Sequence, residues 1–175
     1  MTSLHDTLPA TINTERLVLT TPALEHVPEM AVLANSRRIY EVLSRLPHPY
    51  HEEHGRIFVQ TIARGPEEWA WSILLDGGFI GAVGLHLLPD QLPELGYWLG
   101  EPFWGRGYAT EAAVAVVAAV RTAGVTALRS RALLTNTGSR NVLRKAGFSE
   151  IGEGIDAHGT LKGERVALMR LEFAA

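Results

Sequence analysis

Cysteine is absent from the 175 residues, and that absence removes three chemistries at once. A disulfide scaffold, a thiolate-ligated zinc site and a mechanism that parks an acyl group on cysteine are all excluded. A basic excess is absent too. The formal net charge is -3, without the dense basic run that general nucleic-acid or membrane-surface binding draws on. No apolar run is long enough to span a bilayer; the Ala/Val-rich stretch from Ala112 to Ala123 is too short and reads as helix core. The start of the chain, with Asp6, Pro9 and Glu15, lacks the basic-then-apolar plan of a signal peptide. A cytoplasmic protein with neither a nucleic-acid nor a membrane partner is expected.

An apolar share of 46% with 20% charged residues is ordinary for a globular chain able to bury a core. No repeat, low-complexity tract or Pro/Gly/Ser linker divides it. One domain over residues 1–175 is expected, frayed at Met1–Thr11 and Ala174–Ala175. Arg16–Thr21 (RLVLTT) reads as a strand, and Leu24, Val27, Met30, Leu33 and Ala34 share one face of a following helix. Weaker helical stretches are expected over Ile39–Leu46 and His54–Ala63, around an irregular HPYHEE segment too polar for the core. Strands Trp69–Leu75 and Phe79–Leu87 flank Asp76-Gly77-Gly78, a hairpin signal because glycine accepts positive φ. Trp69 and Trp71 alternate with Ala70 and so share one sheet face. Then come a strand Glu94–Leu99, an apolar helix Ala109–Ala123 stopped by Gly124, a strand Ala127–Leu134 and a helix Gly138–Ala146 capped by Gly147. A last strand, Arg165–Phe173, is expected to pair with Phe148–Gly152. The fold class is α/β (α+β), with helices on a largely central sheet.

The loop Trp104-Gly105-Arg106-Gly107-Tyr108-Ala109-Thr110 lies between a strand and the apolar helix. A helix N-terminus leaves unpaired N–H groups and a partial positive charge, which suits phosphate. Gly105 and Gly107 let a diphosphate approach the backbone, Ala109 is small for the same reason, and Arg106 supplies a cation. On these residues alone, a diphosphate cradle and a tight strand-to-helix turn are equal readings.

PELGYWLGEPFWGRGYATEA resembles motif A of the GNAT N-acetyltransferase superfamily, with Gly107 and Ala109 in the last two positions of its Gln/Arg-x-x-Gly-x-Gly/Ala loop. NTGSRNVLRKAGF resembles its motif B, with Asn136, Ser139, Lys145, Gly147 and Phe148 in place. Together with TERLVLTTPAL, these are similar to the RimJ/RimL branch, named for N-terminal acetylation of ribosomal proteins. Trp104 stands where the loop motif has glutamine or arginine, which is common in that branch. The resemblance is strong over Glu94–Phe148 and weak over Tyr40–Arg64.

The resemblance implies a mixed central sheet splayed between its fourth and fifth strands, with helices on both faces. It implies acetyl-CoA as acyl donor and direct attack by an amine within a ternary complex. Carried over, Trp98, Leu99 and Gly100 line the pantetheine arm, with a backbone N–H near Leu99 facing the thioester oxygen. Trp104 opens the loop; Gly105, Arg106, Gly107, Tyr108, Ala109 and Thr110 hold the pyrophosphate, and Asn136 and Ser139 reach the cofactor from motif B. Glu94 is the first candidate for the base that deprotonates the amine, its bland alternative being a solvated carboxylate at a strand start. His86 is the second. Leu143 occupies the place where many GNAT members carry an acidic tyrosine. Ser139 is the candidate acid instead, unless it only caps or packs its helix.

His48, His51 and His54 do not have zincin spacing, so no metal is expected; with Tyr40 and Tyr50 they read as an acceptor wall or a surface loop. Two other functional readings stand. One is a dinucleotide-binding oxidoreductase, in which Arg129 or Arg131 meets a 2′-phosphate. The other is a non-catalytic acyl-CoA-binding module. The acceptor, a protein N-terminal α-amine or a small amine, is not legible here, and a homodimer is expected only by analogy.

Overall fold

The computed structural model describes residues 3–174; the expected fraying at Met1, Thr2 and Ala175 lies outside them. The remainder of the expected loose N-terminal end is ordered. Ser3 caps a short helix α1 (Leu4–Thr7), Leu8 is buried, and the Trp71 indole N–H donates to the Pro9 carbonyl at 2.9 Å.

An eight-stranded sheet runs in the order β1-β2-β3-β4-β5-β6-β8-β7. Its strands are β1 (Ile12–Asn13), β2 (Leu17–Thr20), β3 (Glu68–Leu75), β4 (Gly78–His86), β5 (Glu94–Leu99), β6 (Ala127–Leu133), β7 (Ser149–Ile155) and β8 (Arg165–Glu172). The β3–β4 hairpin turns on Asp76 and Gly77, both at positive φ (49° and 82°), as a tight two-residue turn requires. A bulge between Ile73 and Leu74 then shifts the register by one residue. The shift sets Glu68 opposite His86.

All neighbours pair antiparallel except β5 and β6, which run parallel and meet only at Glu94 and Arg129. Beyond that pair the two strands separate. This is the expected opening between fourth and fifth strands, displaced by one in number because the two-residue β1 precedes them. A largely antiparallel sheet also overturns the dinucleotide-binding reading, which needs a doubly wound parallel one.

Strand alternation gives the sheet two packed faces. On one, Leu17, Leu19, Trp71, Val83, Leu85 and Leu95 pack against α5 (Tyr108–Thr122). That helix presents Ala112, Ala113, Val116 and Val120 as one buried stripe, and its small residues let it lie close to β2, β4 and β5. On the other face, Phe79 and the β5 residue Trp98 meet Met30, Leu33 and Ala34 of α2 (Val27–Ala34). Helix α6 (Thr137–Lys145) leans on α5, β6 and β7.

The helix expected over Ile39–Leu46 is only α3 (Arg37–Tyr40). The chain after it leaves helical geometry because the Ser44 carbonyl accepts from Thr160 N–H (3.1 Å), which binds this loop to the segment after β7. The helix expected from His54 begins earlier, as α4 (Glu52–Ile57), and continues through a wider turn, Phe58–Ile62. Tyr50, in the segment judged too polar for the core, is buried beside Met30.

Candidate active site

The first turn of α5 is built to leave its amides free. Gly107 is the N-cap at φ 81°, offers no capping side chain, and follows Gly105 at φ 73°. The one acid of that turn, Glu111, faces away. It accepts from Thr14 Oγ1 and the Arg16 backbone N–H (2.7 Å each) and pairs with the Arg16 guanidinium at 2.7 Å. Burial alone would raise its carboxyl, but these bonds outweigh it and hold Glu111 below the usual range. Arg16 also donates to the Arg106 carbonyl (2.9 Å) and lies over the Tyr108 ring, so a single side chain fixes the loop from behind. The free amides open into a cavity of about 730 Å³, within the range of cofactor clefts.

The wall of this cavity is the unpaired stretch of β5. Along a strand, successive residues turn their N–H and C=O to opposite edges. Gly100 N–H donates back to Ile80 on β4 (2.8 Å), whereas the Leu95 carbonyl accepts from Ser130 of β6 (2.7 Å). By that alternation Leu95, Tyr97 and Leu99 present their amides to the opening. The Leu99 carbonyl is taken by the Trp104 indole N–H at 2.7 Å.

Of the residues expected to hold the cofactor, Trp98, Leu99, Trp104, Gly105, Gly107, Tyr108, Ala109, Thr110, Asn136 and Ser139 line this one cavity. Two do not. Gly100 turns toward β4, and a Cβ there would lie 2.8 Å from Leu33, so its small size serves helix packing instead. Arg106 projects to solvent, and only its carbonyl is engaged. Asn136 caps α6, its Oδ1 accepting Ser139 N–H at 3.1 Å, so Ser139 does not cap its helix. The Ser139 hydroxyl instead accepts from Tyr97 O–H at 3.2 Å. Leu143 is buried in the core, so a tyrosine at that place would not face the cavity.

A second cavity, about 600 Å³, adjoins the first and shares Val42, Leu43, Leu95–Trp98, Arg131 and Ala132 with it. Apolar residues such as Phe58 and Leu161 form part of it, with the loop Val42–Leu46 along its rim. Both base candidates are here. Glu94 is bracketed, with Arg129 Nε 3.1 Å from one oxygen and Arg131 Nε donating to the other at 3.2 Å. The two arginines are thus spent on Glu94 and do not await a phosphate. His86 Nδ1 is 3.0 Å from Glu68 Oε2. A carboxylate accepts and a guanidinium donates, so Nδ1 faces Glu68 as the donor while Nε2 accepts from Arg45 Nη1 at 2.5 Å. Burial raises the Glu68 carboxyl above its ordinary range, against the lowering effect of His86 and Arg45. Arg45 reaches the His86 ring from the rim loop.

The expected acceptor wall fares differently. Tyr50, His51 and His54 sit apart from this cavity, and burial pushes the Tyr50 phenol up to about 12. Among the described residues no group of three or more His, Asp or Glu is placed to hold a metal ion, and no helix is long and apolar enough to cross a membrane. Sequence reasoning missed Tyr97, Glu68 and Asp156, the last buried 3.5 Å from Arg131, which it weighed only as a 2′-phosphate contact. Only Tyr97 carried a signal, its alternation with Leu95 and Leu99.

Comparison with known proteins agrees with this geometry. Residues 16–149 match the model of the acetyltransferase (GNAT) domain. An uncharacterized N-acetyltransferase of Bacillus subtilis, YycN, is 27% identical over 103 residues, spanning 54% of this chain and 66% of that protein's length. Among solved structures, the microcin C7 self-immunity acetyltransferase MccE, in complex with acetyl-CoA and AMP, superposes with a TM-score of 0.82 at 19% identity, covering 95% of this chain and 98% of the other. RimL, a ribosomal L7/L12 α-N-protein acetyltransferase in complex with coenzyme A, gives 0.80 at 19% identity, covering 95% and 97%.

Proposed function

This chain belongs to the GNAT acetyltransferase family, and on that premise we propose that it moves the acetyl group of acetyl-CoA directly onto an amine held across the β5–β6 opening. The observation that carries this reading is the pair of adjoining cavities that share β5 and β6 residues where those two strands lose their pairing. The chain's own groups fit the donor: unspent amides at the start of α5 suit the pyrophosphate, and the Tyr97 and Leu99 amides suit the pantetheine and the developing oxyanion.

On the acceptor side His86 is the base. Its Nε2 takes the ammonium proton while Glu68 holds the tautomer, and the amine replaces Arg45 beside the ring. Glu94, bound on both oxygens, is a structural anchor. On the donor side Ser139 protonates the leaving thiolate. The acceptor class this reading favours is a protein or peptide N-terminal α-amine, with support from the similarity to RimL; the rim loop and Phe58–Ile62 set its selectivity. One domain of cytoplasmic location completes the reading.

Titration of the purified protein with acetyl-CoA and, separately, NADPH tests the donor site, and a panel of peptides and small amines tests the reaction. Saturable acetyl-CoA binding and thiol release with peptide N-termini are expected. Release with small amines alone moves the acceptor class; binding without turnover on any amine makes the protein a binding module.

A further inference from the structure

Resting on the reading of Ser139 as the acid, we propose that Tyr97 is the positioning residue that turns the Ser139 hydroxyl onto the leaving thiolate. Three observations meet here. The capping task at the start of α6 is done by Asn136, so the Ser139 hydroxyl is not tied to its own backbone. Tyr97 donates its hydroxyl hydrogen to Ser139 Oγ. A donor fills one lone pair of that oxygen, and Ser139's own hydrogen must point elsewhere. Both side chains line the cavity that the α5 amides enter, so the direction left open is the one in which the thioester lies.

Tyr97 is itself well held. Its backbone is locked opposite Val83 in the β4–β5 ladder, and its ring packs on the main core. Burial raises its phenol, with the Ser139 bond a smaller opposing effect, so it remains a donor through neutral pH. The 3.2 Å separation is long for two hydroxyls, and such bonds tighten when substrate is bound.

The step balances as follows. The carbon–sulfur bond breaks with its electron pair on sulfur, the Oγ–H bond of Ser139 breaks, and an S–H bond forms. Tyr97 stabilises the charge that builds on Oγ until cavity water returns a proton. The count closes because the nitrogen that forms the new carbon–nitrogen bond loses two protons, one to His86 as the ammonium and one to water as the adduct collapses. The second balances the proton that water returns to Ser139, and one proton is released to solvent overall.

A mutant cycle over Tyr97→Phe, Ser139→Ala and the double variant tests this, with kcat, KM for acetyl-CoA and Tm read for each. Tyr97→Phe is expected to lower kcat about tenfold, a fraction of what general acid catalysis contributes, with KM and Tm unchanged. The double variant should fall no further than Ser139→Ala, because the tyrosine acts through the serine. A Tyr97→Phe loss that persists in the Ser139→Ala background, or no loss at all, overturns the proposal while leaving Ser139 as the acid. An unchanged kcat for Ser139→Ala overturns the acid assignment and the role of Tyr97 together. Should Tyr97→Phe lower Tm, fluorotyrosine at position 97 keeps the ring in place and ionises at lower pH. The alkaline limb of kcat then moves to lower pH, and an unmoved limb overturns the proposal.

Discussion

Gly107 is the residue on which donor binding is expected to turn, because it holds positive φ at the N-cap of α5 and a Cβ there would press on the loop's anchor, 3.3 Å from Arg16 Nη2. Gly107→Glu is expected to abolish acetyl-CoA binding, by straining the turn that aims the α5 amides and adding a negative charge that competes with Glu111 for Arg16; retained affinity in a titration would sink the cradle assignment. The two base candidates separate cleanly. His86→Gln should lower kcat by about a hundredfold or more with acetyl-CoA affinity intact. Glu94→Gln should chiefly lower stability, by about 1–3 kcal/mol in denaturant unfolding, since Arg129 and Arg131 lose their shared counter-charge. The reverse pattern returns the base to Glu94. Why the sequence pointed first to Glu94 has a physical reason. A regular two-residue hairpin at Asp76-Gly77 would pair Glu68 with Leu85, and the bulge at Ile73 and Leu74 that brings Glu68 to His86 instead has no mark in the residues.

Helix α5 was legible nearly to the residue, because its small-residue stripe, its glycine start and Gly124 all agree. Its anchor was not: Arg16 and Glu111 are far apart in sequence, and nothing local joins them. Arg16→Ala should cost about 1–2 kcal/mol of stability for a partly exposed ion pair with added hydrogen bonds. It should also weaken acetyl-CoA binding, since the loop carrying Gly105 and Gly107 loses its backing. The rim loop was misread as helix because its conformation is set from outside, by the segment after β7. There Gly159 stands at φ 64°, and a Cβ would lie 1.9 Å from the Ser44 carbonyl oxygen. Gly159→Ala must therefore push the rim loop aside, and because Val42 and Leu43 border both cavities, a raised KM for acceptor and donor together is the expected result.

Across the whole molecule, the opening between β5 and β6 was implied by resemblance and not by periodicity, for strand spacing alone does not say where pairing stops. Two cavities meeting there predict that donor and acceptor are bound together, so double-reciprocal plots should intersect; parallel lines would mean a covalent acyl-enzyme. Acid stability is set elsewhere. His26 is buried, and its Nδ1 accepts from Ala23 N–H (3.1 Å), so desolvation lowers its proton affinity below the ordinary 6.5 despite Glu25 and Glu29. A depressed histidine contributes stability above its unfolded value and loses it as pH falls below about 6.5. His26→Gln should flatten that slope in unfolding titrations. The wall shared by the two cavities carries one last consequence. Because Leu95–Trp98 and Arg131 line both cavities, a ligand that shifts them from one side is expected to alter affinity on the other, and such coupling is reciprocal. Whatever factor acetyl-CoA applies to acceptor affinity, the acceptor returns to acetyl-CoA, so donor supply and acceptor supply gate one another at a single strand.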